Sequence, residues 1–289
     1  MSSVKRANAG WGSGLIGVII FSGSLPATRA AVLGFTPLFV TSARAVIAAL
    51  LGGICLASFR QTRPARRDIL PLVFVAAGVV VGFPLLTGLA LQHITAARSV
   101  VFVALLPMAT AIFATVRGGD RPRLAFWFFA AIGAAAVAGF ALFLSDATST
   151  LGDALMLGAI ALCGFGYAEG ATLSRRIGGW QVISWALLLS LPPMISIAVA
   201  TMPVDLSHIG IGAWIGLGYV SIFSMLIGFV FWYRGLALGG TAGVAQVQLL
   251  QPFLGLALAS VVLREPVSWA MLAIAALVVL CVAGSRRFA

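Results

Sequence analysis

Residues 104–122 read ALLPMATAIFATVRGGDRP, and residues 249–266 read LLQPFLGLALASVVLREP. Each stretch sets a proline inside an apolar run, then closes on an acid, an arginine and a second proline at nearly the same distance. Pro107 and Pro252 are 145 residues apart, and so are Asp120 and Glu265. A spacing one residue shorter pairs Gly14 with Gly158, Phe21 with Phe165 and Thr28 with Thr172. The chain therefore reads as two related halves, 1–145 and 146–289.

What each half contains follows from composition. Of the 289 residues, 61% are hydrophobic and 9% are charged. A soluble domain carries charge on about a quarter of its residues, so most of this surface must face lipid. A bilayer core takes about 20 apolar residues per helix. Ten such runs are present, at 11–32, 36–58, 69–91, 94–116, 123–144, 152–173, 181–201, 210–234, 241–263 and 266–284. None alternates as a strand would, and helices satisfy their own backbone groups, as hydrocarbon demands. The expected fold is all-α: a polytopic membrane protein of ten transmembrane helices. The first run follows Lys5 and Arg6 as a signal peptide would, but nine more follow it, so it reads as a retained span. Cys55, Cys163 and Cys281 each fall within an apolar run and form no metal-binding spacing.

The net charge of +11 could point to nucleic acid, but the basic residues sit in short clusters between apolar runs. With the N-terminus in the cytoplasm, the inside set is Lys5, Arg6, Arg60, Arg63, Arg66, Arg67, Arg117, Arg121, Arg123, Arg175, Arg176, Arg234, Arg286 and Arg287. That is fourteen of eighteen basic residues. Arg98 and Arg264 lie near outside loops, beside Asp146, Asp153, Asp205 and Glu265. This is the positive-inside pattern for both termini cytoplasmic, in a multi-pass cell membrane such as the bacterial inner membrane. Five spans per half is an odd number, so the second half enters from the opposite face. Inverted repeats of this kind build secondary transporters, with the binding site near the midplane between the halves.

Four stretches carry a family likeness: PLFVTSARAVIAALLGG at 37–53, LLPMATAIFATVRGGDRP at 105–122, YAEGATLSRRI at 167–177 and LLQPFLGLALASVVLREP at 249–266. Over almost its whole length the chain resembles the drug/metabolite transporter superfamily, in its ten-helix EamA-type branch. Within that branch it looks most like the aromatic amino-acid exporters called YddG. The resemblance implies export of small organic metabolites, through a central cavity lined mainly by the first, third, fourth, sixth, eighth and ninth helices.

Candidate binding residues come from helical faces, at about 100° per residue. On the first helix Gly14, Gly17, Phe21, Ser24 and Thr28 share a face, and Trp11 marks its interface end. The third offers Gly78, Gly82, Phe83 and Thr87, with Pro84 as a kink. The fourth offers Thr95, Ser99 and Phe102. The eighth offers Ser221, Ser224, Met225, Gly228 and Trp232, a mixture suited to a partly apolar ligand. Packing of small residues is the competing explanation there, and for Trp232 an interfacial anchor is favoured. The ninth carries Gln246, Gln248 and Gln251; Gln246 and Gln248 are favoured for hydrogen bonding to substrate, with helix–helix amide bonding as the alternative. The substrate-binding set is Phe21, Ser24, Phe83, Thr87, Ser99, Phe102, Ser224, Met225, Gly228, Gln246 and Gln248.

Charged residues within spans are functional candidates by default. Arg44 lies roughly 12 Å from the outer end of its helix; it could snorkel outward, serve packing or touch substrate. Glu169 is a candidate for proton coupling, with a solvated or salt-bridged carboxylate favoured, and it lacks the second mid-membrane carboxylate of a simple acid-pair carrier. Asp120 and Glu265 precede helix starts and are assigned to capping. His93 and His208 sit at helix ends without metal-ligand neighbours, so an enzyme is disfavoured. The expectation is a monomeric carrier of a small molecule in the lipid bilayer, with no cofactor, metal or nucleic acid.

The charge pattern makes a prediction. A thiol placed by Arg63→Cys should react with an impermeant maleimide only from the cytoplasmic side, and one placed by Asp205→Cys only from outside.

Overall fold

The computed structural model describes residues 3–118, 123–143, 150–239 and 245–285. Among them every regular element is helical. Ten spans follow in order. The first comprises Ser3–Ser22 and Ser24–Val32, and the second is Pro37–Ser58. The third comprises Arg66–Val75, Ala76–Gly82 and Phe83–Ala90, and the fourth Ala96–Val103 and Leu106–Gly118. The fifth to seventh are Leu124–Phe143, Thr150–Ile177 and Gly179–Ala200. The eighth comprises Ile211–Gly218, Tyr219–Ile227 and Gly228–Gly239, the ninth Ala245–Leu250 and Gln251–Leu263, and the tenth is Trp269–Ser285. Seven spans are long and apolar enough, as described, to cross a bilayer, and three shorter apolar helices lie in the fifth, ninth and tenth. The first helix begins well before residue 11, and the sixth runs on to Ile177.

Local signals set the helix starts. Thr36 accepts a hydrogen bond from the Phe39 amide at 3.2 Å, with Pro37 in the first turn. Thr95 does the same for the Arg98 amide at 3.1 Å. Gly178, at φ 91°, turns the chain between the sixth and seventh spans, a conformation that costs glycine little. Large apolar residues such as Ile54, Phe128, Val199, Ile215, Val261 and Trp269 are exposed around the bundle, and lipid is the solvent that suits them.

The repeated phrases share one structural consequence. Proline has no N–H and its ring crowds the carbonyl four residues back. Before Pro107 the helix stops at Val103 and restarts at Leu106; before Pro252 a 3₁₀ segment ends at Leu250 and an α-helix starts at Gln251. A second matched pair occurs in the third and eighth spans, which each contain a π-helical stretch, Ala76–Gly82 and Tyr219–Ile227. These end with the Phe83 amide donating to Gly78 and the Gly228 amide donating to Phe223. Both partners in the second half stand 145 positions beyond those in the first.

Packing follows the same exchange. The first span lies along the eighth and the third along the sixth, while the second pairs with the seventh and the fifth with the tenth. Each of these pairings maps onto another, or onto itself, when the halves are swapped. Successive spans reverse direction, so halves of five spans enter from opposite faces.

Several crossings are close enough to demand glycine. Gly78 lies against the Leu162 carbonyl and the Gly166 backbone, and a Cβ on Gly235 would come within 2.7 Å of the Gly14 nitrogen. Gly78→Val should part the third and sixth spans at a cost of about 1–3 kcal/mol, seen as a lower melting temperature in detergent. Gly212→Ala, where nothing lies within 4 Å of the new carbon, should leave that temperature unchanged.

Candidate functional site

The interrupted spans converge on a central cavity with a free volume of about 40 Å³. It has room for a few waters and is contracted around its own side chains. One part of its wall is aromatic and soft: Phe21, Phe83, Tyr167, Met225 and Phe229. Phe21 meets Phe229 edge-on at 5.0 Å between ring centres, and Tyr167 meets Phe229 at 6.1 Å and 90°. The polar part is formed by Ser24, Arg44, Ser224 and Gln251. Ser24 and Ser224 share a 2.7 Å hydrogen bond, and Arg44 Nη2 donates to Ser224 Oγ at 3.3 Å. No carboxylate is among the lining residues. A larger groove, of about 470 Å³, lies between the first, eighth and ninth spans, but its wall is almost wholly apolar and includes the exposed Ile215 and Val262. It lacks the convergent polar groups of a binding site.

Of the residues singled out from sequence, Phe21, Ser24, Phe83, Ser224 and Met225 border the cavity. Gly228 stands behind Phe21, where a Cβ would come within 2.7 Å of the ring. Thr87 and Ser99 turn back on their own helices, donating to the carbonyls of Phe83 at 2.8 Å and Thr95 at 3.0 Å. Phe102 is fully buried in the core. Gln248 is buried but does not border the cavity, and the Gln246 side chain lies outside the described residues, as does Asp120. Glu169 is buried near the end of the sixth span, away from the cavity lining.

Of the alternatives open for Arg44, snorkelling is removed: it is 5% exposed and turns inward, so the second span also contributes to the cavity. Two sequence expectations are corrected. Trp232 does not anchor at an interface: it is buried against Phe21, 6.5 Å between rings. Glu265 caps a helix, but not the one that it precedes. Its carboxylate accepts from the Ala96 and Ala97 amides at 3.1 and 2.8 Å, at the start of the fourth span in the other half. Tyr167, Phe229 and Gln251 had not been favoured. Gln251 opens the α-helix that follows the 3₁₀ segment, so its direction depends on the change of helix type at Leu250 and not on one regular wheel.

Both mouths of the bundle are tied across the halves. At the end bearing the loop near residue 93, Arg98 holds Asp153 through two hydrogen bonds of 2.8 and 2.5 Å, both residues buried. At the arginine-rich end, Arg176 pairs with the buried Asp68 at 2.5 Å, and Gln181 donates to Gln61 at 3.2 Å.

The sequence matches the EamA-like transporter family over residues 9–142 and again over 150–286. The chain belongs to that family. It is 60% identical over 286 residues to the "Uncharacterized transporter YdeK" of Bacillus subtilis (strain 168), an alignment spanning 99% of this chain and 100% of the relative. A crystal structure with 17% sequence identity shares the fold, at a TM-score of 0.65 over 98% of this chain and 96% of the other. The protein is thus a multi-pass membrane transporter of the EamA type, and the cavity is its candidate substrate site.

The tie between Arg98 and Asp153 can be tested directly. Asp153→Asn leaves a buried guanidinium short of its counter-charge and should cost about 3–5 kcal/mol, read as a fall in thermal stability in detergent. Asp205→Asn touches only exposed contacts, to His208 and to Ser207, and should change stability little.

Proposed function

We propose that this EamA-type transporter exports amino acids with large apolar or aromatic side chains, by alternating access and without catalysing a reaction. The observation that carries the reading is the divided chemistry of one cavity. Phe21, Phe83, Phe229 and Met225 offer a face for an apolar side chain, and Ser24, Ser224, Arg44 and Gln251 offer hydrogen bonds to a polar end. The resemblance to aromatic amino-acid exporters supports the same substrate and direction. The arginine-rich loops support an inner-membrane placement with both termini in the cytoplasm.

Two halves related by inversion can pack in two near-equivalent ways, one open to each side. In this reading the ties Arg98–Asp153 and Arg176–Asp68 form and break in turn as the halves rock. The contracted cavity corresponds to the passage between these states, and substrate entry widens it.

Counterflow in proteoliposomes tests the proposal. Internal unlabelled phenylalanine should accelerate uptake of labelled phenylalanine, as a carrier requires and a channel does not show. Movement of cationic drugs or nucleotide sugars, with none of any amino acid, would overturn the substrate assignment. The same panel run with and without a pH gradient reads the coupling.

A further inference from the structure

The bundle uses its buried arginines in two ways. Arg98 is matched by a buried carboxylate at 2.5 Å, and Asp68 is matched by Arg176 at the same distance. Arg44 has no such partner. It is 5% exposed, and among the described residues its one hydrogen bond is the 3.3 Å contact to Ser224, while its buried Nε meets no acceptor. No carboxylate lies within 4 Å of it among the described residues. A guanidinium carries five N–H donors in a planar fork, and burying such a charge without compensation is costly. The same cavity holds a second unanswered group: Oε1 of Gln251 is buried and accepts no hydrogen bond. An orphaned cationic donor and an orphaned acceptor thus line one small space, beside a paired Ser24 and Ser224.

We infer that Arg44 is the receptor for the substrate's carboxylate, with Ser224 beside it and Gln251 accepting from the substrate's ammonium or other N–H donor. The inference rests on the proposed reading of the cavity as the transport site, and it names the feature that a substrate must carry. The fork of a guanidinium fits two carboxylate oxygens, and in this water-poor pocket the incoming anion supplies the counter-charge that the protein omits. A molecule with the same apolar body but no carboxylate gains nothing from Arg44 and leaves it bare. The site therefore discriminates by penalty as well as by attraction: amines and amides are rejected although their rings would fit. Lysine is a poor substitute, because an ammonium is a point donor without the fork.

The test begins with the wild-type chain in proteoliposomes, so that it does not depend on a variant folding. Labelled phenylalanine counterflow should be inhibited by unlabelled phenylalanine and by 3-phenylpropanoate, and not by phenethylamine at the same concentration. Arg44→Gln, shown monodisperse by gel filtration, should lower phenylalanine flux by about ten- to a hundredfold, and Arg44→Lys should recover only part of it. If phenethylamine competes as well as phenylalanine, or if a folded Arg44→Gln transports at the wild-type rate, the inference fails while amino-acid transport stands. If 3-phenylpropanoate moves in an Arg44-dependent way and no amino acid does, the carboxylate receptor stands and the amino-acid reading falls.

Discussion

The constraint on which this structure depends is that hydrocarbon offers no hydrogen bonds to a backbone. Each interruption of a membrane helix releases carbonyl or amide groups that must be answered by protein or by enclosed water. Helix breaks are therefore confined to the middle of the bundle, and here they occur in matched places. The stops before Pro107 and Pro252 and the π stretches of the third and eighth spans bring irregular backbone to one level, where the cavity forms. The candidate binding site and a set of broken helices are two descriptions of the same place. Duplication explains the pairing of these four breaks, whereas the break at Gly23 in the first span has no counterpart in the continuous sixth.

How much of this was legible in the chain depended on the physical period being read. Apolar runs of bilayer length and one-sided clusters of arginine pointed to the ten spans, and an offset of 144 to 145 residues pointed to the two halves. Side-chain faces were legible in the first and eighth spans, where Phe21, Ser24, Ser224 and Met225 border the cavity although a break at Gly23 and a π-helical stretch interrupt the α-helix there. They were not legible across the 3₁₀ segment of the ninth span, where Gln251 rather than its neighbours reaches the cavity. Hydroxyls posed a different problem. Thr87 and Ser99 have the right chemistry, but each satisfies itself on the carbonyl four residues back, and a sequence does not record that choice. Direction was the remaining gap. The depth of Arg44 could be estimated from its position, but whether it reached outward or inward depended on Ser24 and Ser224 from distant spans.

The charged groups divide by what answers them. Arg98, Asp153, Asp68 and Arg176 are answered within the protein and join the two halves at opposite mouths. Glu265 joins them again by closing off a helix start on the far side of the repeat. Arg44, between these two levels, is answered among the described residues only by a hydroxyl. The bundle thus spends its buried ion pairs on its ends and keeps one cation in reserve at its centre.

The close crossings bear on movement as well as on packing. Where Gly78 meets Gly166, and where Gly235 meets Gly14, backbone rests on backbone with few side chains between. Interlocked helices change partners by lifting ridges out of grooves, which favours abrupt jumps of a whole turn. Smooth seams have no teeth to disengage. On the proposed alternating-access reading, these glycine contacts between the first and eighth spans, and between the third and sixth, are where one half would pivot against the other by small angles.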